Sequence, residues 1–117
     1  MSESILRDKS KDFAKEIVVL CRKLKLQQKE NVLINQLLRC GTSIGANIYE
    51  AQYAQSAKDF ISKLEIVLKE ASETGYWLEL LHRTNYIDGQ QYKILSDKCA
   101  AIRVMLIASC KTAKENK

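Results

Sequence analysis

The stretch QLLRCGTSIGANIYEA, from Gln36 to Ala51, places small and polar residues where an ordinary amphipathic helix carries more leucines. At about 100° per residue, its apolar side chains share one face and its polar side chains form an arc beside that face. The polar arc consists of Gln36, Arg39, Ser43, Asn47 and Glu50, and Gly41 and Gly45 flank the other side. Each mid-helix glycine costs about 1 kcal/mol relative to alanine, so two of them predict that another backbone approaches this helix closely.

The composition of the whole chain fits one helical domain spanning residues 1–117. Hydrophobic residues make up 46% and charged residues 28% of the sequence, which is ordinary for a globular protein. There is no proline and there are four glycines, so few positions can break a helix. The net charge of +5 favours anionic partners, although lysine-rich helical proteins reach such values without binding nucleic acid.

Cysteine spacing and hydropathy indicate a reduced, cytoplasmic protein. The four cysteines form no CxxC pair and each falls in a helical pattern, namely Cys21, Cys40, Cys99 and Cys110. The longest apolar runs are far shorter than the ~20 residues that cross a bilayer, and the first residues lack a secretory signal. The aliphatic stripe of the first helix is too narrow and too mixed in charge for a membrane-surface helix. We therefore expect no membrane partner.

Apolar spacing predicts four long helices. They are expected from Ser4 to Gln27, from a cap at Asn31 to Gln55, from Ser56 to Arg83, and from Asp88 onward. Ser56 with Asp59 and Asp88 with Gln91 are start signals of the capping-box type. Short connections make consecutive long helices antiparallel, which predicts an all-α, up-down-up-down four-helix bundle.

The third helix carries a second stripe beside its core face. This stripe consists of Asp59, Lys63, Ile66, Glu70, Glu73 and Trp77. One bundle core cannot bury this stripe together with the polar and glycine flanks of the second helix. The sequence therefore predicts a further packing surface, which self-association supplies most simply.

The run QLLRCGTSIGANIYEA, followed by SAKDFISKLEIVLKEASETGYWLELL, resembles the four-helix bundle protein family, also called the 23S ribosomal RNA intervening sequence protein family. The resemblance covers nearly all of the chain, and Cys40 departs from it by replacing the usual serine. It implies a cytoplasmic ring-shaped homo-oligomer, a homopentamer, with a basic surface and no known enzyme activity. Some relatives accompany the reverse transcriptase of diversity-generating retroelements, which implies RNA or DNA and a reverse transcriptase as partners.

The polar arc has two interpretations. As a structural seam, within one bundle or between bundles, it would pair Arg39 with Glu70 or Glu73, because a buried arginine requires a partner. As a functional site, it would contact a ligand or RNA through Arg39. Trp77 is expected to pack as an interface anchor, since large rings dominate cores and interfaces.

Basic residues form two clusters when the helices are laid antiparallel. One end carries Arg7, Lys9, Lys11 and Lys15 with Lys111, Lys114 and Lys117, and the other carries Arg22, Lys23, Lys25 and Lys29. A ring would multiply both clusters, and such charge binds phosphate with a steep dependence on salt. Equally, these cations could offset helix dipoles and keep the surface soluble. With no RNA-recognition motif present, binding would be to backbone and shape.

Aromatic and catalytic candidates are fewer. Tyr49 and Tyr53, four residues apart on the outer side of the second helix, could stack on bases or pack against a neighbour. Glu79 and His82 match half of a di-metal bundle motif, but His82 is the single histidine, so we expect no metal site. We expect no catalytic residue and no cofactor. The sequence thus favours a non-enzymatic RNA-binding homo-oligomer, with a structural interaction module lacking nucleic-acid binding as the alternative.

Overall fold

The chain folds into four antiparallel helices, and the computed structural model describes residues 2–27 and 31–116. The helices are α1 (Ser2–Gln27), α2 (Val32–Ala51), α3 (Ala57–Arg83) and α4 (Gly89–Glu115). Within the described residues every regular element is a helix, so the predicted all-α class is confirmed. In the same residues no helix combines the length and the apolarity that crossing a bilayer requires.

The four helices are arranged as a square, and each helix packs against the two helices beside it. Thus α1 contacts α2 and α4, α3 contacts α2 and α4, and the diagonal pairs do not meet among the described residues. This arrangement is the predicted up-down-up-down bundle, and it measures 48 × 22 × 19 Å. A single copy of the chain shows neither a ring nor a pentamer.

The core is the apolar stripe of each helix turned toward the bundle axis. Its largest fully buried side chains include Phe13, Ile17, Leu24, Ile34, Leu37, Ile44, Leu78, Leu81, Ile102 and Leu106. Burying one such side chain stabilises the fold by about 1.5–3 kcal/mol relative to leaving it exposed. This set carries the three-to-four spacing that predicted the helices.

Two of the three predicted helix starts have the expected cap. The Ser56 hydroxyl accepts a hydrogen bond from the Asp59 amide at 3.0 Å, and the Asp88 carboxylate accepts one from the Gln91 amide at 2.8 Å. The expectation for Asn31 was wrong, because it precedes α2 with helical backbone angles and its side chain makes no capping hydrogen bond. A side-chain cap requires an extended residue, as Ser56 and Asp88 are.

The second helix ends at Ala51, four residues before the predicted end at Gln55. Beyond Ala51 the amides of Gln52, Tyr53 and Ala54 bond three residues back, which is the tighter 3₁₀ pattern. Ser56 then adopts an extended backbone to cap α3. The start signal of α3 therefore requires the chain to leave the helix earlier than its residue preferences suggest.

Candidate nucleic-acid interface

The polar arc of α2 faces α3 of the same chain. Arg39 pairs with Glu70 at 3.4 Å and also with Glu73, and the side-chain oxygen Oε1 of Gln36 accepts from Nε of Arg39 at 3.4 Å. The Trp77 indole N–H donates to the same Glu73 carboxylate at 3.2 Å. One cation thus bridges two carboxylates, and this network joins the middle of α2 to the middle of α3.

The smaller polar side chains of the arc bond to their own helix rather than across the seam. The Ser43 hydroxyl donates to the Arg39 carbonyl at 2.7 Å, and the Asn47 amide donates to the Ser43 carbonyl at 2.8 Å. Glu50 is exposed near the end of the helix. These donors are already in use, so the cross-helix bonding on this side comes mainly from Arg39.

The second stripe of α3 contributes Glu70, Glu73 and Trp77 to this network. Toward its N-terminal end, Asp59 accepts a hydrogen bond from the Gln55 amide at 3.1 Å and lies 4.0 Å from the Lys63 ammonium group. Ile66 is partly exposed on the same side. Within one chain, Glu70 and Glu73 therefore contact α2, whereas Ile66 stays 43% exposed.

The two glycines of α2 lie against α1, on the side opposite the polar arc. A β-carbon at Gly41 would lie 3.0 Å from Cγ2 of Ile17, and one at Gly45 would lie 3.3 Å from the carbonyl oxygen of Ser10. Ser10 is itself buried, and its hydroxyl donates to the Arg7 carbonyl at 2.9 Å. The backbone that was expected to approach α2 closely is therefore that of α1 in the same chain.

The basic residues of α1 are arranged along the helix rather than only at its ends. Helix geometry places five of them within an arc of about 80° that points away from the core: Arg7, Lys11, Lys15, Arg22 and Lys25. No acidic residue of α1 falls within this arc, and at 1.5 Å per residue it is about 27 Å long. We call these five residues the α1 basic face.

The other predicted cations take different positions. Lys9 and Lys23 lie on the side of α1 turned to α4, which also carries the acidic residues Asp12 and Glu16 and which Lys15 of the α1 basic face borders. Glu16 pairs there with Lys98 at 2.7 Å. The basic residues of α1 thus also form one lengthwise face, while the two end clusters stay a prediction. A helical projection of the sequence would have revealed this face.

At the C-terminal end, Lys111 is exposed and Lys114 pairs with Glu65 of α3 at 3.1 Å. This hydrogen bond with Glu65 raises the pKa of Lys114, with smaller contributions from Cys110 and from the Glu65 charge. Lys114 keeps its proton, and the Glu65 carboxylate offsets part of its positive charge. Lys29 and Lys117 lie outside the described residues.

The remaining titratable candidates are the two residues of the half di-metal motif, Glu79 and His82. His82 stacks on Tyr92 with ring centroids 4.8 Å apart, while Glu79 pairs with Arg83 at 2.9 Å. The two residues of the half di-metal motif therefore have different partners. In the part of the chain that the structure describes, no three His, Cys, Asp or Glu side chains come together as a metal site.

All four cysteines are buried as free thiols. Burial raises the pKa of Cys21 and of Cys99 from 9.0 to about 11, and the smaller opposing effects come from Lys25 and Arg103 respectively. Burial also raises the pKa of Cys40, and a hydrogen bond with Thr74 offsets part of this rise. All four side chains pack as small apolar groups, and the thiols of Cys21, Cys40 and Cys99 are protonated at neutral pH.

The fold and these surfaces define a small four-helix bundle with an internal arginine–glutamate seam and a basic outer face. The chain belongs to the 23S rRNA-intervening sequence protein family, whose pattern matches residues 2–108. It is also similar to a protein of unknown function of the S23 ribosomal protein family from Bacteroides thetaiotaomicron VPI-5482, known from a crystal structure, with a TM-score of 0.93. The two are 52% identical over 95% of this chain and 99% of that chain. No protein of curated function matches the chain.

Proposed function

We propose that this protein is a non-enzymatic, cytoplasmic homo-oligomer that binds RNA through the α1 basic face. The observation that carries the proposal is the segregation of charge on α1. Five cations line one side of the helix over about 27 Å, while three of its acidic residues, Asp8, Asp12 and Glu16, lie outside that side. A solubilising surface has no need of this separation, since mixed signs serve solubility better.

The expected mode of binding is contact with phosphates rather than with base edges. Lysine and arginine side chains on a continuous helix face follow a phosphate backbone without reading its sequence. If all five cations meet phosphates, the logarithm of the binding constant falls with the logarithm of salt concentration with a slope of about −3.5 to −4.5. Repetition of the face in an oligomer would steepen this dependence.

Self-association is supported by apolar side chains on the α1–α4 side of the bundle. Val19 is 55% exposed and Ile94 is 45% exposed, and both line an open groove between the two helices. The rim of this groove carries Glu16 together with Lys15 and Lys23, so both charge signs are present. An apolar strip with both signs of charge suits a second copy of the same surface.

A charge-reversal experiment tests the RNA-binding part. The variant Lys11→Glu, Lys15→Glu, Arg22→Glu should weaken binding of a labelled structured RNA and make the salt slope shallower by about 1 for each cation removed. Its matched control is Lys58→Glu, Lys69→Glu, Lys93→Glu, which changes net charge equally at exposed positions on α3 and α4. Equal loss in both variants would show that net charge, and not the α1 basic face, governs binding.

The same preparations distinguish the alternative function. A structural interaction module would keep its oligomeric mass and bind no RNA in either variant or in the wild type. The proposal includes a reverse transcriptase as protein partner on the strength of the family resemblance. Co-purification of the protein with the reverse transcriptase would test that partner independently of RNA.

A further inference from the structure

A groove of about 560 Å³ runs between α1 and α2 beside the α1 basic face. Its floor is made of small side chains because α1 and α2 approach closely at Gly45 and Ser10. Its lining includes Arg7, Asp8, Lys11, Ala14, Ala46 and Tyr49. The same close approach that closes the core thus leaves a shallow outer channel with a small-residue floor.

One exposed aromatic ring, that of Tyr49, lines this groove, and the ring of Tyr53 lies beside it. Tyr49 is 57% exposed and Tyr53 is 69% exposed, and their ring centroids lie 5.7 Å apart with an angle of 59° between the planes. A hydrogen bond with Tyr49 raises the pKa of Tyr53. Both rings therefore offer aromatic surface to solvent.

The groove also carries cations that belong to the α1 basic face. Arg7 donates from Nη1 to the side-chain oxygen of Gln52, which holds its guanidinium group at the end of α2. Lys11 is exposed one helical turn further along α1, and Asp8 adds one carboxylate to the rim. Arg7, Lys11 and the tyrosines therefore place positive charge and aromatic surface side by side.

We propose that this groove binds unpaired bases of a single-stranded RNA, with base rings stacking on Tyr49 and Tyr53 and phosphates meeting Arg7 and Lys11. The inference rests on the proposed RNA-binding function and adds a preference for single strands. Bases in a duplex are stacked on one another and cannot reach side chains in this way, whereas unpaired bases can. Cations beside exposed aromatic rings are the combination that single-strand binding proteins use.

The test compares two RNAs and three variants by fluorescence anisotropy. The probes are a labelled unstructured oligouridine of about 15 nucleotides and a labelled RNA duplex of the same length. We expect Tyr49→Leu, Tyr53→Leu to weaken binding of the oligouridine at least about 5-fold and to leave duplex binding unchanged. Tyr49→Phe, Tyr53→Phe keeps both rings and should bind like the wild type.

Tyr76→Leu is the matched control, because Tyr76 is 59% exposed on α3 and packs edge-on against Trp77 away from the groove. It should bind both RNAs like the wild type. Light scattering and thermal melting of each variant report whether the leucine changes alter assembly or folding.

Three results would overturn the inference. Unchanged oligouridine binding by the leucine variant would leave the proposed function standing and remove the groove as a base site. A lower oligomeric mass in that variant would assign the tyrosines to a contact with a second copy. Absence of binding to either RNA by the wild-type protein would remove the proposed function and this inference with it.

Discussion

The β-carbon that Gly41 lacks would lie 3.0 Å from Cγ2 of Ile17, a side chain that is fully buried on α1. Ile17 branches at its own β-carbon and is surrounded by the core, so it cannot swing aside at low cost. Close packing therefore favours glycine at position 41, although glycine has a poor helix propensity.

Gly41→Ala should lower the free energy of unfolding by about 1 kcal/mol, because overpacking costs more than the helix propensity gained. Gly75→Ala is the control, since a β-carbon there meets nothing within 4 Å and should raise the free energy of unfolding by up to about 1 kcal/mol. Urea unfolding followed by circular dichroism, at equal protomer concentration, measures both. Equal stability of the two variants would contradict the packing account.

Arg39→Ala should destabilise the protein without changing its oligomeric mass. Arg39 is half exposed, but Glu70 is only 15% exposed and would lose its cation, so we expect a loss of about 1–2 kcal/mol. The control Lys93→Ala removes an exposed pair with Asp97 on α4 and should cost less than about 0.5 kcal/mol. A fall in mass for Arg39→Ala, measured by light scattering, would move this seam from the chain to a contact between copies.

The four helices could be predicted from the sequence because their information is local. Each apolar stripe and each of the Ser56 and Asp88 caps involves residues within one or two helical turns. The chain also has no proline to interrupt a helix. The pairing of Arg39 with Glu70 or Glu73 could also be predicted from the sequence, since opposite charges in facing stripes are complementary.

The partner of each α2 flank could not be predicted in the same way. The sequence places glycines on one side of α2 and the polar arc on the other, but a pattern on one helix does not say which helix covers it. The structure places α1 against Gly41 and Gly45 and α3 against Arg39, both within one chain. The α1 basic face was missed for a different reason, because the cations were grouped by position along the chain instead of by angle around the helix.

The buried thiols predict a loss of stability at high pH. The pKa of Cys21 and Cys99 is about 11 in the folded protein against 9.0 ordinarily, so their contribution is complete below pH 9 and is lost as the pH rises toward 11. The free energy of unfolding should fall across this window by up to about 1.4 kcal/mol per pH unit for each thiol. Cys21→Ala, Cys99→Ala should show a shallower fall in urea unfolding. Parallel curves for the variant and the wild type would assign the loss to lysine and tyrosine titration instead.

The two groups of cations should differ in their contribution to RNA binding. Reversal of Lys11 and Arg22 removes charge from the α1 basic face, whereas reversal of Lys111 and Lys114 includes a lysine already paired with Glu65. We therefore expect the first pair to weaken binding more than the second, with unchanged mass in both. Anisotropy titrations at one salt concentration compare them. A larger effect of Lys111→Glu, Lys114→Glu would relocate the interface to the C-terminal end of α4.

The most direct test is a titration of the wild-type protein with a labelled structured RNA at about 50 mM and about 200 mM salt. Five cations contacting phosphates predict tight binding at low salt and a fall of at least about 100-fold in affinity between the two conditions. Absence of binding at the lower salt concentration, or an affinity that salt leaves unchanged, would contradict RNA binding through the α1 basic face.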